Sequence, residues 1–125
     1  MTMHAATRYK AALVAFLVAL PGAALGDQVA GAQLPDDAVK VADSRFPGRR
    51  FRVGRGYEET LKYYRQVYGP RYRRRPIADL PSVKAVHIEN PDAKPGRWEG
   101  LNVYELRGET RIFVVVQEPE KQPGR

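Results

Sequence analysis

The 125-residue sequence contains no cysteine and only two histidines, His4 and His87. Without cysteine, the chain forms no disulfide, supplies no thiol nucleophile and offers no thiolate to a metal. Serine is also scarce, with only Ser44 and Ser82, and no Ser-His-Asp arrangement stands out. These absences exclude most hydrolytic and redox sites, so we expect neither a metal nor a cofactor.

The N-terminal stretch has the pattern of an export signal. Arg8 and Lys10 precede the unbroken apolar run 11–20, and small residues then stand before Asp27. The run is shorter than the about 20 apolar residues that span a membrane. We therefore expect cleavage before Asp27 or, at a second small-residue site, before Gln33. With no cysteine for lipid attachment, the mature protein is expected in the periplasm of a bacterium or outside the cell, without a membrane span.

Removal of the signal would leave one histidine in the mature protein and would limit the size of its fold. His4 leaves with the signal, so His87 remains alone and sites that need two histidines are excluded. Cleavage before Asp27 leaves 99 residues, which is enough for one domain. The predicted organisation is a signal peptide (1–26), a flexible lead-in (27–44), a single α+β domain (45–118) and a disordered tail (119–125).

The clearest local structure is a helix from about Tyr57 to Tyr68. Tyr57, Leu61, Tyr64 and Tyr68 recur at helical spacing and form one apolar stripe. The pair Gly69-Pro70 ends the helix. Strands are predicted around it, in the order β-α-β-β-β, at 50–53, 83–90, 98–106 and 111–117. The fold class is therefore α+β, with one amphipathic helix packed on a three- to four-stranded antiparallel sheet.

The run Ile112–Val116 is apolar on both faces, although a sheet with one buried face needs only alternate apolar residues. Phe113 and Val115 therefore need cover on the face away from the helix. The chain itself, a second subunit or a ligand would supply it, and a homodimer without a ligand of its own is one interpretation.

The strongest anomaly is charge. Between Arg45 and Arg75 the chain carries eleven basic residues and only two acidic ones. Ten of the eleven are arginine, which grips phosphate or carboxylate through two hydrogen bonds and stacks on aromatic rings. The run chosen as a binding site follows the helix and is expected to be exposed: Arg71, Tyr72, Arg73, Arg74 and Arg75.

The compartment of the protein determines which anionic partners this arginine-rich run could bind. In the cytoplasm the run would indicate nucleic acid. Outside the membrane, lipid headgroups, phosphorylated glycolipids, cell-wall polymers and acidic proteins are the abundant anionic partners, and export disfavours nucleic acid. A solvated arginine-rich surface without a specific ligand is the competing interpretation.

His87 is the weak candidate for catalysis. In an extended strand His87 and Glu89 share one face, where a carboxylate can orient the imidazole as an acid or base. The size, charge and residue types resemble those of small secreted bacterial ribonucleases. In that family, however, the catalytic histidine follows the glutamate, whereas His87 precedes Glu89, so no site is carried over.

The sequence therefore favours an exported, non-enzymatic module that binds an acidic envelope component or acidic protein through an Arg/Tyr surface. The alternatives are a small secreted hydrolase of phosphodiesters or glycans that uses His87 and Glu89, and a structural homodimer.

Overall fold

The computed structural model describes residues 25–119. The predicted signal, up to residue 24, and most of the predicted tail, from residue 120, lie outside the described residues. Within residues 25–119 the chain forms one helix and eight strands. In chain order they are β1 (Leu25–Val29), β2 (Ala32–Pro35), β3 (Ala38–Lys40), β4 (Arg50–Val53), α1 (Tyr57–Tyr68), β5 (Arg74–Asp79), β6 (Val83–Glu89), β7 (Trp98–Leu106) and β8 (Glu109–Val116).

The strands form a two-stranded hairpin, β1-β2, and a six-stranded antiparallel sheet with the order β3-β4-β8-β7-β6-β5. The predicted fold class, an α+β fold with a three- to four-stranded sheet, is therefore wrong. The described chain is mostly β, and four of its strands were missed: β1, β2, β3 and β5.

The missed strands lack local strand signals. Three of them lie at residues 25–40, in and just before the stretch predicted as a flexible lead-in. The fourth, β5, has the sequence RRPIAD, in which charge and Pro76 argue against a strand. It lies at an edge of the sheet and its pairing shifts between Pro76 and Ala78, which is where a sheet accommodates proline. Pairing with neighbouring strands, and not local propensity, makes these segments extended.

The helix prediction is confirmed, with the bounds Tyr57–Tyr68. Glu58 and Glu59 lie in the first turn, where the helix dipole favours negative charge. Gly69 follows with φ of 71°, a conformation that costs little without a side chain, and its N–H bonds the Arg65 carbonyl at 3.1 Å. Local sequence signals therefore predict this helix correctly, because all of them favour the same first and last residues.

The helix covers one face of the six-stranded sheet, called the inner face below. The central inward residues are fully buried, including Leu101, Ile112 and Val114. Tyr63 and Tyr64 of the helix are 1% and 0% exposed, and their hydroxyls donate to the carbonyls of Leu34 at 2.9 Å and Gln33 at 2.7 Å. The β1-β2 hairpin is thus fixed to the helix through buried tyrosines.

This hairpin bears on the two predicted cleavage points. Cleavage before Gln33 would remove β1 and Ala32, which is 0% exposed. Cleavage before Asp27 would retain the pairs Gln28–Gln33 and Val29–Ala32. Only cleavage before Asp27 therefore leaves the paired hairpin in place on the helix.

Phe113, on the outer face of the sheet, is covered in part by the chain itself. The ring of Phe46, from the loop before β4, meets it edge-on with centroids 5.4 Å apart. The Arg50 guanidinium lies 5.0 Å from the centre of the same ring. Within residues 25–119, no helix is long and apolar enough to cross a membrane.

Candidate anion-binding surfaces

The face of the sheet opposite the helix carries two rows of side chains across the strands. Alternation along each strand puts these residues on the outer face because their neighbours point into the core. One row contains Arg75, His87, Asn102, Phe113 and Arg50. The second row contains Ala78, Ala85, Tyr104, Arg111, Arg52 and Val39.

Two arginines stand directly opposite each other in the second row. Arg52 of β4 pairs with Arg111 of β8 in the antiparallel register. Like charges in this position destabilise a sheet, where a favourable cross-strand pair contributes about 0.2–1 kcal/mol. Arg111 has a carboxylate partner, Glu109, at 2.6 Å. Arg52 is exposed, and among residues 25–119 no carboxylate lies within 4.0 Å of it.

The first row has an arginine at each end. Arg50 donates to Asp43 at 2.8 Å and to the Tyr104 hydroxyl at 2.6 Å, so its guanidinium is fixed. The hydrogen bond from Arg50 holds the pKa of Asp43 below its usual value. Arg75, at the other end, is exposed and makes no ion pair within the described part of the chain. Four strand spacings separate the two ends, or about 19 Å.

We call this surface the arginine face and define it by Arg50, Arg52, Arg75 and Arg111. Asp43 and Glu109 engage Arg50 and Arg111, which leaves the guanidinium groups of Arg52 and Arg75 solvated. The surface therefore offers fixed and free cations together, with Tyr104 and Phe113 between them.

The structure divides the predicted run Arg71–Arg75 between different surroundings. Arg71 pairs with Asp92, and Tyr72 packs against Trp98. Arg73 is exposed, with its Nε 4.0 Å from Glu89. Arg75 belongs to the arginine face, whereas Arg74 points to the opposite side of β5.

Arg74 serves the end of the helix. It pairs with the buried Ile88 in the sheet, and its guanidinium donates to the Tyr64 carbonyl at 3.3 Å. Burial lowers the pKa of Arg74, and nearby Arg65 adds to the effect. Its Nε is buried without a hydrogen-bond partner among the described residues. Arg74 therefore contacts the end of the helix and does not belong to the arginine face.

Tyr72 instead lines a cleft of about 310 Å³, which we call the Trp98 cleft. Its lining residues are Tyr72, Asn90, Asp92, Lys94, Arg97 and Trp98. The rings of Tyr72 and Trp98 are nearly parallel, at 6° with centroids 6.0 Å apart. Tyr68 packs against both rings, 4.5 Å from Tyr72 and 5.0 Å from Trp98. Its hydroxyl accepts the Gln33 N–H at 2.7 Å, and burial raises the pKa of Tyr68 to about 12.

Asp92, which lines the Trp98 cleft, forms an ion pair with Arg71 of another loop. The two terminal guanidinium nitrogens of Arg71, Nη1 and Nη2, donate to Asp92 at 3.0 and 2.9 Å. These bonds lower the pKa of Asp92, so its charge persists and remains compensated. Asn90 shapes the same loop, because its side chain donates to the Trp98 carbonyl and accepts the Asp92 N–H, both at 2.9 Å.

Arg97 lies across the turn of the β1-β2 hairpin. A Cβ placed on Gly31 would overlap its Nη2, so only glycine admits the guanidinium in this position. Gly31 also has φ of 92°, which glycine adopts without strain. The turn of the N-terminal hairpin therefore lies in contact with a cation of the cleft.

His87 and Glu89 share the outer face, but His87 hydrogen bonds elsewhere. Its Nδ1 lies 2.7 Å from Asn102 Oδ1, and its ring rests on Gly100, where a Cβ would come within 2.6 Å of Nε2. Neither residue lines the Trp98 cleft or the clefts at 26–51 and at 52–110. Among the described residues no group of three or more His, Asp or Glu side chains is placed to bind a metal.

Five cations of these surfaces were not among the site residues predicted from the sequence: Arg50, Arg52, Arg111, Lys94 and Arg97. The alternation in 50–53 was a usable signal for Arg52, because it puts both arginines of that strand on one face. The cleft had no such signal, since Tyr72, which follows the helix, meets the distant segment 90–98 there.

Comparison with known proteins adds no identification. No protein-family model matches the sequence, and neither curated proteins nor solved structures yield a match.

Proposed function

We propose that this protein is an exported, non-enzymatic module of the bacterial envelope that binds an acidic partner on the arginine face. The observation that carries the proposal is the cross-strand pair of Arg52 and Arg111 on a sheet face that the helix leaves open. Glu109 engages Arg111 but no carboxylate of residues 25–119 engages Arg52, so this cross-strand pair carries net positive charge. An anion held between them would neutralise that charge.

The neighbouring side chains support the same chemistry. Arg50 is oriented by Asp43 and Tyr104, so part of the surface is organised before a partner arrives. Arg75 extends the cationic surface to the far edge of the sheet. Arginine donates two parallel hydrogen bonds to a carboxylate or phosphate, which suits a polymer that carries such groups at intervals.

The test compares equal losses of charge at two places. The Arg52→Gln, Arg75→Gln double variant removes the two solvated arginines of the arginine face. The Lys62→Gln, Arg65→Gln double variant removes two exposed charges from the helix and is the matched control. Retention of the exported protein on immobilised heparin, a representative polyanion, is measured as the salt concentration at elution.

We expect the arginine-face variant to elute at clearly lower salt than both the wild type and the control, because exposed charge contacts are screened by salt. Equal elution of the two variants would show that net charge alone governs retention, and the proposal would be abandoned. Arg74 is left intact in every variant because its role is internal.

A further inference from the structure

We propose that the Trp98 cleft binds one acidic sugar of the uronic acid class. The carboxylate would face Lys94 and Arg97, and the ring would pack against Tyr72. The cleft shares no residue with the arginine face, so this inference does not rest on the proposed function.

The cleft holds two cations that the chain does not neutralise. Lys94 and Arg97 are exposed, and among residues 25–119 no carboxylate lies within 4.0 Å of either. The Arg97 guanidinium lies against the turn at Gly31 and lines the cleft together with Lys94. Two uncompensated cations in one cleft favour a carboxylate ligand, because charge-assisted hydrogen bonds are stronger than neutral ones.

The acidic residue of the cleft does not repel such a ligand strongly. Asp92 is held by both nitrogens of Arg71, so this pair contributes no net charge. Its remaining lone pairs are available to the hydroxyl groups of a sugar. The cleft therefore combines net positive charge with hydrogen-bond acceptors.

The aromatic wall favours a ring over a bare anion. The ring of Tyr72 is half-buried and is held in place by Tyr68 and Trp98. The C–H face of a pyranose is apolar and can pack on the negative face of such a ring. Inorganic phosphate would leave this wall unused.

The size and lining of the cleft favour a sugar over a peptide. Its volume of about 310 Å³ lies near the lower end for small-molecule sites, about 300–1,000 Å³. Four of its six lining residues are polar or charged. Trp98 is 5% exposed, so the cleft offers no deep apolar pocket for a peptide side chain.

The chain contains a built-in reporter, since Trp98 is its only tryptophan. Binding is measured as the change in tryptophan fluorescence when the full exported protein is titrated with digalacturonate. Parallel titrations use the neutral disaccharide galactobiose and inorganic phosphate. The variant is Lys94→Gln, Arg97→Gln, and Lys62→Gln, Arg65→Gln is the charge-matched control.

We expect saturable binding of digalacturonate that weakens by about tenfold or more in the cleft variant, because each charged hydrogen bond contributes about 1.5–3 kcal/mol. The control variant should bind as the wild type does. Absence of binding, equal binding by the cleft variant, or equal affinity for galactobiose would overturn the proposal. Displacement of digalacturonate by equimolar phosphate would assign the cleft to any small anion and would also overturn it.

A second variant isolates the role of the ring. Tyr72→Phe should keep the affinity for digalacturonate, and Tyr72→Leu should reduce it by about threefold to tenfold, in line with about 0.5–1.5 kcal/mol for aromatic contacts. Equal affinity in both variants would remove the ring from the site and contradict the sugar assignment.

Discussion

The two faces of the six-stranded sheet differ sharply although the same strands build them. On β8, Ile112 and Val114 point to the helix and are fully buried, whereas Arg111 points outward. On β4, Phe51 is 5% exposed while Arg52 is open to solvent. Alternation thus gives one face to the core and leaves the other mostly polar, with only local packing such as that of Phe46 on Phe113.

The difference indicates which residues the fold depends on most. Substitutions on the inner face must preserve volume and hydrogen bonds, because interiors are closely packed. The outer face is less constrained and carries two arginines directly opposite each other, of which only Arg111 has a carboxylate partner among residues 25–119. Such a feature requires an explanation beyond folding, and binding of an anion provides one.

The largest effect is expected from removing the N-terminal hairpin, which covers the inner side of the molecule. A chain that begins at Gln33 lacks β1 and the buried Ala32, and exposes the partners of Tyr63 and Tyr64. We expect it to unfold at lower urea than a chain that begins at Asp27. On the proposed export and signal cleavage, mass spectrometry of the mature protein should accordingly find no form that starts at Gln33. A Gln33 form of equal stability would show that the hairpin is dispensable.

The next largest effect on stability is expected from a comparison of two neighbouring residues of β8, one on each face of the sheet. Ile112→Ala should lower the free energy of unfolding by about 2–5 kcal/mol, through lost burial and a residual cavity. Arg111→Gln, on the other face, should change it by no more than about 0.5 kcal/mol. Urea denaturation of both variants measures the difference. Similar losses would mean that the outer face also has a packing role.

The buried tyrosines give the inner face a characteristic pH dependence. Burial raises the pKa of both Tyr63 and Tyr68 to about 12, from the usual tyrosine value of 10.0. Stability is unaffected below about pH 10, where both states keep the proton, and falls as the pH rises towards about 12, because only the unfolded state releases it. Each group contributes about 1.4 kcal/mol per pH unit in that window. Urea denaturation from about pH 9 to about pH 11.5 should show this fall, and a flat profile would contradict the assigned burial.

A smaller effect compares two tyrosine hydroxyls. Tyr64→Phe leaves the Gln33 carbonyl without its donor inside the core, at a cost of about 1–3 kcal/mol. Tyr104→Phe removes the acceptor for Arg50 on the outer face, where water can replace it, and should cost no more than about 0.5 kcal/mol. Thermal unfolding of the two variants provides the comparison. The reverse order of stabilities would contradict the division into inner and outer faces.

Parts of this fold were accessible to sequence reasoning because local and tertiary preferences agree in them. The helix Tyr57–Tyr68 and the strands β4 and β7 were predicted with the bounds that the structure has. The turn Arg107-Gly108 between β7 and β8 has φ of 54° and 80°, as a two-residue hairpin requires. Gly108 therefore indicates the position of this turn in the sequence.

The other strands, β1, β2, β3 and β5, were missed because distant partners create them. In β2, Gln33 is only 8% exposed, a location that its sequence neighbours do not indicate. Its backbone and side-chain groups bond Tyr64, Tyr68 and the Gly26 carbonyl, so the hairpin and helix satisfy it together. The residues of the predicted binding run, Arg71–Arg75, lie in different surroundings for a related reason. Strand β5 alternates, so Arg74 and Arg75 point to opposite sides.

The most direct test of the arginine face is the salt dependence of heparin binding, measured as the slope of log K against log salt concentration. For the Arg52→Gln, Arg75→Gln variant we predict a shallower slope than for the Lys62→Gln, Arg65→Gln control, because contacts of the lost arginines no longer release counterions. Identical slopes for these two variants, which have the same net charge, would contradict the account.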